Sequence, residues 1–287
     1  MLPWGLAGSF DVGSRFAAAT VAFAATGLVA MATASASAGA RDSASPAPLG
    51  AEQIVDKCVE VRGGLAAWRR ISTITWVGHL ESERSPIPSL PFQLQEKRPD
   101  KSRFEITEPS QRSLRVFNGA SGWKMRPGQD GRPVVKQFTA LENRFASEAS
   151  GLEGPLIDYR ARGSKVELEG VDQMDGRTVY RIGVRLASGA GQTVWIDAGT
   201  FLETRYDRIA YDQQGPRGTV SVRYLDYKEV EGLALPSVFE ISGAAGSKPD
   251  RMVIEKVALN PPIDDREFDG LGDPRGRAAN GPATAPR

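Results

Sequence analysis

One cysteine and one histidine in 287 residues leave little room for most catalytic chemistry. Cys58 has no second cysteine to pair with, so stability in an oxidising compartment must come from packing rather than from an internal disulfide. His79 is the sole side chain whose ordinary pKa lies near neutrality, and any Ser-His-Asp or Cys-His arrangement would have to use it. No HExxH, CxxC or histidine-rich run occurs, which argues against a zinc site. GxGxxG and Walker-type loops are missing, so neither a nucleotide nor another cofactor is expected. An excess of charge of either sign is missing too: 36 Lys and Arg against 35 Asp and Glu offer no basic field for nucleic acid.

The remaining titratable groups read as solvent-facing. Asp264 and Asp265 sit in NPPIDDREF, and Glu167 and Glu169 alternate along one strand pattern; neither pair has the look of an acid/base couple. Cys58 falls on the apolar face of a helical pattern, where a small buried hydrophobe is the expected role. No catalytic residue is therefore assigned, and a protein that is not an enzyme is expected. A hydrolase using Asp264 and Asp265 is the least favoured alternative.

The ends differ from the middle. Arg15 precedes FAAATVAFAATGLVAMATASASAGA, an apolar run in which Ala36, Ala38 and Ala40 each complete an A-x-A pattern, as in a secretory signal. Residues 1–40 are read as that signal, with a mature chain from Arg41 in the periplasm; a membrane anchor of similar length is the alternative reading. RDSASPAPL and GLGDPRGRAANGPATAPR are rich in Pro, Gly, Ala and Ser, so 41–50 and 270–287 are read as a disordered linker and tail around one domain, 51–269.

What is plentiful is alternation. Ile54, Cys58, Val61, Leu65 and Trp68 recur at spacings of three and four, predicting a helix broken at Gly63-Gly64 and a short second helix ending near Ile71. From ITWVGHLES onward the period is two, with Ile74, Trp76, Gly78 and Leu80 on one side and Thr75, Val77, His79 and Glu81 on the other. About a dozen such segments follow, separated by turn residues such as Asn118-Gly119, Met174-Asp175-Gly176 and Glu231-Gly232. One helical insertion, 139–159, interrupts them, with a second short helical piece expected after Pro155. Short connections make consecutive strands antiparallel neighbours. The fold class is thus mainly β: a single large curled antiparallel sheet, a half-open β-barrel, with both helical insertions covering one face as a lid. No fixed repeat suggests a propeller or solenoid. A concave apolar face too large for its helices to fill would accept an apolar ligand.

LQEKRPDKSRFEITEPSQRSLRVFNGASGWKMRPG, residues 94–128, resembles the periplasmic lipoprotein carrier family LolA. Lys97-Arg98-Pro99, Arg103-Phe104, Pro109, Asn118-Gly119 and Trp123 to Pro127 carry the likeness, in that family's order and spacing. VDQMDGRTVYRIGV and YLDYKEVEGLALPSVFEI look like the broader outer-membrane lipoprotein-sorting relatives. The resemblance implies a half-open barrel under a helical lid that shields lipoprotein acyl chains, with Arg98 holding the lid closed. Where the family carries a Phe four residues beyond that Arg, this chain has Ser102. The implied partners are acyl chains of lipoproteins or another lipid, with membrane donor and receptor proteins, and the protein is expected to act as a monomer. Candidate lipid-binding residues are Trp76, Leu94, Phe104 and Leu114 on the wall, with Ile54, Cys58 and Leu65 on the lid. A sensor or interaction module of the RseB and MucB type, sharing this fold, is the alternative.

Overall fold

A computed structural model describes residues 49–270 apart from 84, 110, 129, 150, 151, 213, 214 and 244–247. The expected signal 1–40, the start at Arg41, most of the linker 41–50 and the tail beyond 270 lie outside the described residues.

The broken leading helix forms as its spacing predicts, as α1 (Ala51–Val61) and α2 (Leu65–Arg69). Ile54, Val55 and Cys58 are buried on α1, whereas Val61 ends the helix exposed, because the chain turns away at Arg62. The turn depends on Gly63, whose φ is +107° and whose missing Cβ would meet the Gly232 carbonyl oxygen at 2.5 Å. That close approach seats the helix break on the Glu231-Gly232 hairpin.

Thirteen strands follow, all in one sheet. They are β1 (Thr73–Glu81), β2 (Leu90–Lys97), β3 (Lys101–Thr107), β4 (Arg112–Asn118), β5 (Gly122–Pro127), β6 (Pro133–Gln137), β7 (Lys165–Met174), β8 (Arg177–Arg185), β9 (Gly191–Asp197), β10 (Glu203–Asp212), β11 (Gly215–Val230), β12 (Leu233–Ser242) and β13 (Asp250–Leu259). The spatial order is β6-β5-β4-β3-β2-β1-β13-β12-β11-β10-β9-β8-β7, and each pairing is antiparallel. The chain therefore starts at the middle of the sheet, walks out to one edge, crosses to the other edge and walks back to pair β13 with β1. The sheet is not closed into a barrel; β6 and β7 are its two ends.

Turn chemistry sets the registers. Asp175-Gly176 and Glu231-Gly232 each have positive φ at both positions, the geometry that two-residue hairpin loops require. Pro236 lies inside β12 opposite Tyr227, but the ladder from β12 to β13 runs only from Val238 to Ile241, so its missing N–H breaks no bond on that side.

The crossover from β6 to β7 passes over one face, here called the inner face. It contains α3 (Ala140–Ala149) and then turns through 152–163. The expected helix after Pro155 does not form: Gly154, Asp158 and Gly163 all have positive φ, which a right-handed helix cannot contain. The turns instead bury Leu152, Leu156, Ile157 and Tyr159. α3 reaches both halves of the sheet, since Asn143 accepts the Gly122 N–H at 2.8 Å while Phe145 lies 5.7 Å beneath the Arg208 guanidinium. Ala146 packs with Phe117 and Phe138.

Alternation then fixes the faces. Ile74, Trp76 and Leu80 point inward, with Phe92, Leu94, Phe104, Ile106, Val222, Tyr224, Phe239 and Met252 from neighbouring strands, and Trp68, Leu152 and Ile157 close over them as one core cluster. The opposite, outer face is mostly polar and carries His79, Glu81 and Arg251.

The joint between the two halves of the sheet is β1 against β13, and Gly78 sits at an irregularity in that ladder. A Cβ there would lie 1.9 Å from the Val253 carbonyl oxygen. Gly78→Ala should therefore cost at least about 3 kcal/mol by forcing backbone apart, whereas Gly191→Ala, with nothing within 4 Å of its added Cβ, should change stability by less than about 1 kcal/mol. Urea unfolding of the two variants checks the difference.

Candidate functional site

The inner wall is built on an in-register row. Trp76 pairs with Leu94 across β1 and β2, and Leu94 with Phe104 across β2 and β3, so the three side chains stand side by side. Trp76 meets Phe239 edge-on at 6.2 Å and Phe104 meets Phe92 at 5.7 Å. All three residues of the row are at most 5% exposed, covered by Trp68 of α2 and by Leu152 and Ile157 of the crossover, with Leu65 at the margin.

Leu114 stands elsewhere. It pairs with Glu105 and Met125 and packs on the outer face with Val116, Met125, Ile263 and Phe268. β4 is apolar on both sides, with Leu114 and Val116 facing out and Phe117 facing in, because a short 3-10 turn, Asp265–Phe268, covers its outer side. Ile54 and Cys58 are fully buried on α1 but lie outside the cluster of Trp76, Leu94 and Phe104. Burial pushes the Cys58 thiol well up, and Glu203 adds to the shift, so the sulfur stays protonated.

Charged groups fasten the lid over this wall. Arg98, at the end of β2, donates from Nε to the Ile71 carbonyl at 2.7 Å and from Nη2 to the Trp68 carbonyl at 3.1 Å, and it pairs with both Glu153 carboxylate oxygens at 3.0 and 2.9 Å. One side chain thus holds the wall, α2 and the crossover together. Arg62 holds a second junction: its Nη1 donates to the Glu153 carbonyl at 3.1 Å and to Glu203 Oε1 at 3.2 Å, its guanidinium lies 4.8 Å over the Trp68 ring, and its own carbonyl accepts from Trp68 Nε1. Nearer solvent, Arg69 makes a two-pronged pair with Asp158 at 2.7 and 2.8 Å, and Arg160 reaches Asp56 and Glu52 of α1. The hydrogen bonds from Arg69 hold the Asp158 carboxyl below its usual range. At the α3 end burial opposes ionisation of Glu142, but Lys124, the Thr139 N–H and Arg115 outweigh it and keep its pKa low.

Two cavities flank this assembly. One of about 390 Å³ lies between α1, α2 and the crossover, lined by Val59, Leu65, Leu156 and Tyr159. The other, about 610 Å³, opens on the strands β7 to β11 beside Glu167, Glu169 and Asp207. Neither is lined by Trp76, Leu94 or Phe104. At that row the described lid residues pack against the wall.

The other sequence candidates are engaged in surface pairs. His79 is on the outer face, its Nδ1 2.7 Å from Glu255 and its Nε2 3.3 Å from Glu81. Asp265 pairs with Lys97 and Lys101, and Asp264 caps the 3-10 turn; hydrogen bonds from the Arg266 side chain and backbone bring Asp264 down to about 2. Among the described residues no three His, Cys, Asp or Glu side chains gather as a metal site.

Two buried acids, Glu96 beneath the lid and Glu153 within it, were missed in the sequence. Glu153 falls within the crossover, far in sequence from both arginines that hold it, so no local pattern marks it. Glu96 looks like any alternating charge, yet its position faces inward, opposite Ile74 and Ser102, and its Oε2 accepts from Trp76 Nε1 at 3.1 Å. Burial pushes its carboxyl up to about 7, against that hydrogen bond and with help from nearby Glu153. The folded state thus holds the proton more tightly than the unfolded chain. The resulting stabilisation is complete below the ordinary pKa of 4.5 and is lost as pH rises through about 7. Glu96→Gln should remove roughly 3 kcal/mol of pH dependence across that window, read as the difference between the urea unfolding curves of the two proteins at several pH values.

No family model matches the sequence, and no curated protein matches it. Solved structures do match the fold. An outer membrane lipoprotein-sorting protein domain from Vibrio parahaemolyticus superposes with a TM-score of 0.51 at 13% identity, covering 76% of this chain and 96% of that one. A LolA superfamily protein from Nitrosomonas europaea gives a TM-score of 0.50 at 14% identity, covering 77% and 98%. The chain therefore has the fold of LolA-like lipoprotein-sorting domains, an open antiparallel sheet with helices on its inner face.

Proposed function

We propose that this protein is a non-enzymatic periplasmic carrier that receives the acyl chains of lipoproteins, or of another lipid, on the inner face of its sheet. The observation that carries the reading is the way the apolar wall is shut: the lid lies over Trp76, Leu94 and Phe104, is fastened to the sheet by Arg98 and Arg62, and has its own pieces tied to one another and to α1 by Arg69 and Arg160. Hydrogen-bonded charge pairs of this kind can be remade in water when a segment moves, whereas a strand ladder would have to be broken. An acyl chain offers about 0.8 kcal/mol for each methylene taken out of water, enough over a full chain to replace the contacts that Trp68, Leu152 and Ile157 make with the wall.

The proposed exchange needs no chemistry. The lid segments 65–71 and 152–163 swing away, the acyl chains take their place against the Trp76 row, and closure of the Arg98 and Glu153 pair on delivery expels them. Trp76, Leu94 and Phe104 are the proposed contact residues, with Leu65 at the rim; Ile54 and Cys58 of α1 form the proposed rigid back of the lid. Leu114 has no part in this face. Membrane proteins that donate and receive the lipid are the proposed partners of a monomeric carrier, and the secretory leader read in residues 1–40 supports the compartment.

Arg98→Gln tests the fastening. Losing its charged hydrogen bonds to Glu153 should weaken lid closure by roughly 1.5–3 kcal/mol. Amide hydrogen exchange in 65–71 and 152–163 should then speed up by about ten- to a hundredfold, while β2 and β3 keep their protection, and uptake of a fluorescent acyl probe should accelerate. Unchanged exchange together with unchanged uptake would contradict the lid assignment. A wild-type protein that takes up neither the probe nor a triacylated peptide would overturn the carrier reading.

A further inference from the structure

The inner wall is not purely apolar. Below the Trp76 row runs a second in-register row, Ile74, Glu96, Ser102 and Phe117, on β1 to β4. Its two middle members are polar and buried, Glu96 at 9% exposure and Ser102 at 6%. Directly opposed residues of antiparallel strands point to the same side with Cβ atoms about 5 Å apart, so the two polar side chains leave the sheet side by side. Trp76 Nε1 serves one Glu96 oxygen, whereas Ser102 Oγ has no hydrogen-bond partner among the described residues. A buried hydroxyl left in that state is a net cost to folding. A container for hydrocarbon alone would be better built with Ala or Val there.

We propose that Glu96 and Ser102 form a polar recognition point for the lipid that the inner face carries, taking a neutral hydroxyl or amide N–H located where its acyl chains join the rest of the molecule. The proposal rests on the carrier reading and narrows its cargo. The chemistry of the pair sets the ligand class. Above the pH of about 7 at which Glu96 ionises its carboxylate only accepts, while the Ser102 hydroxyl can both donate and accept, so the matching group is one that donates to the carboxylate and whose oxygen can take the serine proton. It is a neutral donor because the pair stands within the apolar cluster, where a charged headgroup would lose its hydration. Glu153, which influences Glu96 from the crossover side, belongs to the lid, so lid opening uncovers the point as it uncovers the wall. A plain hydrocarbon would satisfy neither group, and a lipid with only ester carbonyls could take the serine proton but would leave the Glu96 carboxylate without a donor.

The test compares two probes that differ in one donor: a diacylglycerol with its free hydroxyl and the O-methyl ether of the same molecule. Each competes with a fluorescent acyl reporter for the full chain in detergent-free buffer. The wild type should favour the free hydroxyl at least fivefold, and the ratio should fall toward one in Ser102→Ala and in Glu96→Leu. Ser102→Ala removes a buried hydroxyl without adding bulk, so it should fold at least as well as wild type and keeps the test readable if Glu96→Leu folds poorly. Equal binding of the two probes by wild type, or a preference that survives in Ser102→Ala, would sink the recognition point while leaving the carrier in place. Binding of neither probe would remove both readings. A purely structural Ser102 would change stability alone and leave the hydroxyl-to-ether ratio untouched.

Discussion

The chain must travel from one free edge of its sheet to the other, and most of the architecture follows from how that crossing is held. β6 and β7 are the outermost strands, so residues 138–164 have to span the inner face between them. Glu153 is the fixed point of the crossing. Arg98 grips its carboxylate and Arg62 its carbonyl, while Arg62 also reaches Glu203 on the far half of the sheet. A buried acid with two arginines is costly to desolvate and costly to break, which makes it a poor general stabiliser but a strong selector of one position. Without that grip Leu152 and Ile157 would have no defined register over Trp76 and its neighbours.

The strands themselves were legible because both of their signals are local. Period-two alternation from Thr73 onward and turn pairs such as Asp175-Gly176 and Glu231-Gly232 mark each hairpin within a few residues, and hairpins leave few topologies open. Sidedness was legible only where one face is polar. In β1 the alternation of Trp76 and Leu80 with His79 and Glu81 assigns the faces, whereas β4 has Leu114 and Val116 on one side and Phe117 on the other. Which of these faces inward depends on Ile263 and Phe268, some 150 residues away in sequence, so Leu114 could not be placed from its own neighbourhood. The segment after Pro155 was harder still, since its apolar residues have helical spacing but Gly154 and Asp158 turn left-handed, which buries Leu156 and Ile157 on the underside of the lid. Among the charged residues, Arg98 drew notice only through a motif likeness, and Arg62, Glu96 and Glu153 drew none, because burial of a charge is a tertiary event.

The same division separates fold from function. The likeness to solved lipoprotein-sorting domains concerns the path of the backbone, and at 13–14% identity the contents of the inner face are this chain's own. Those contents have three layers: an apolar row at Trp76, Leu94 and Phe104, a polar row at Glu96 and Ser102, and a rim of arginine pairs that closes over both. Such an arrangement suits a surface that is covered by its own lid when empty and by another molecule's acyl chains when loaded.

Native mass spectrometry of the chain from Arg41, isolated from a periplasmic extract without detergent and followed by lipid extraction, tests that account most directly. A population carrying a stoichiometric lipid or acylated peptide, enriched when Arg98→Gln weakens closure of the lid, is the result the account predicts. A protein that is lipid-free on isolation and stays at its bare mass after incubation with phospholipid or triacylated peptide would contradict it, and would leave the inner face as a packed core beneath an interaction module.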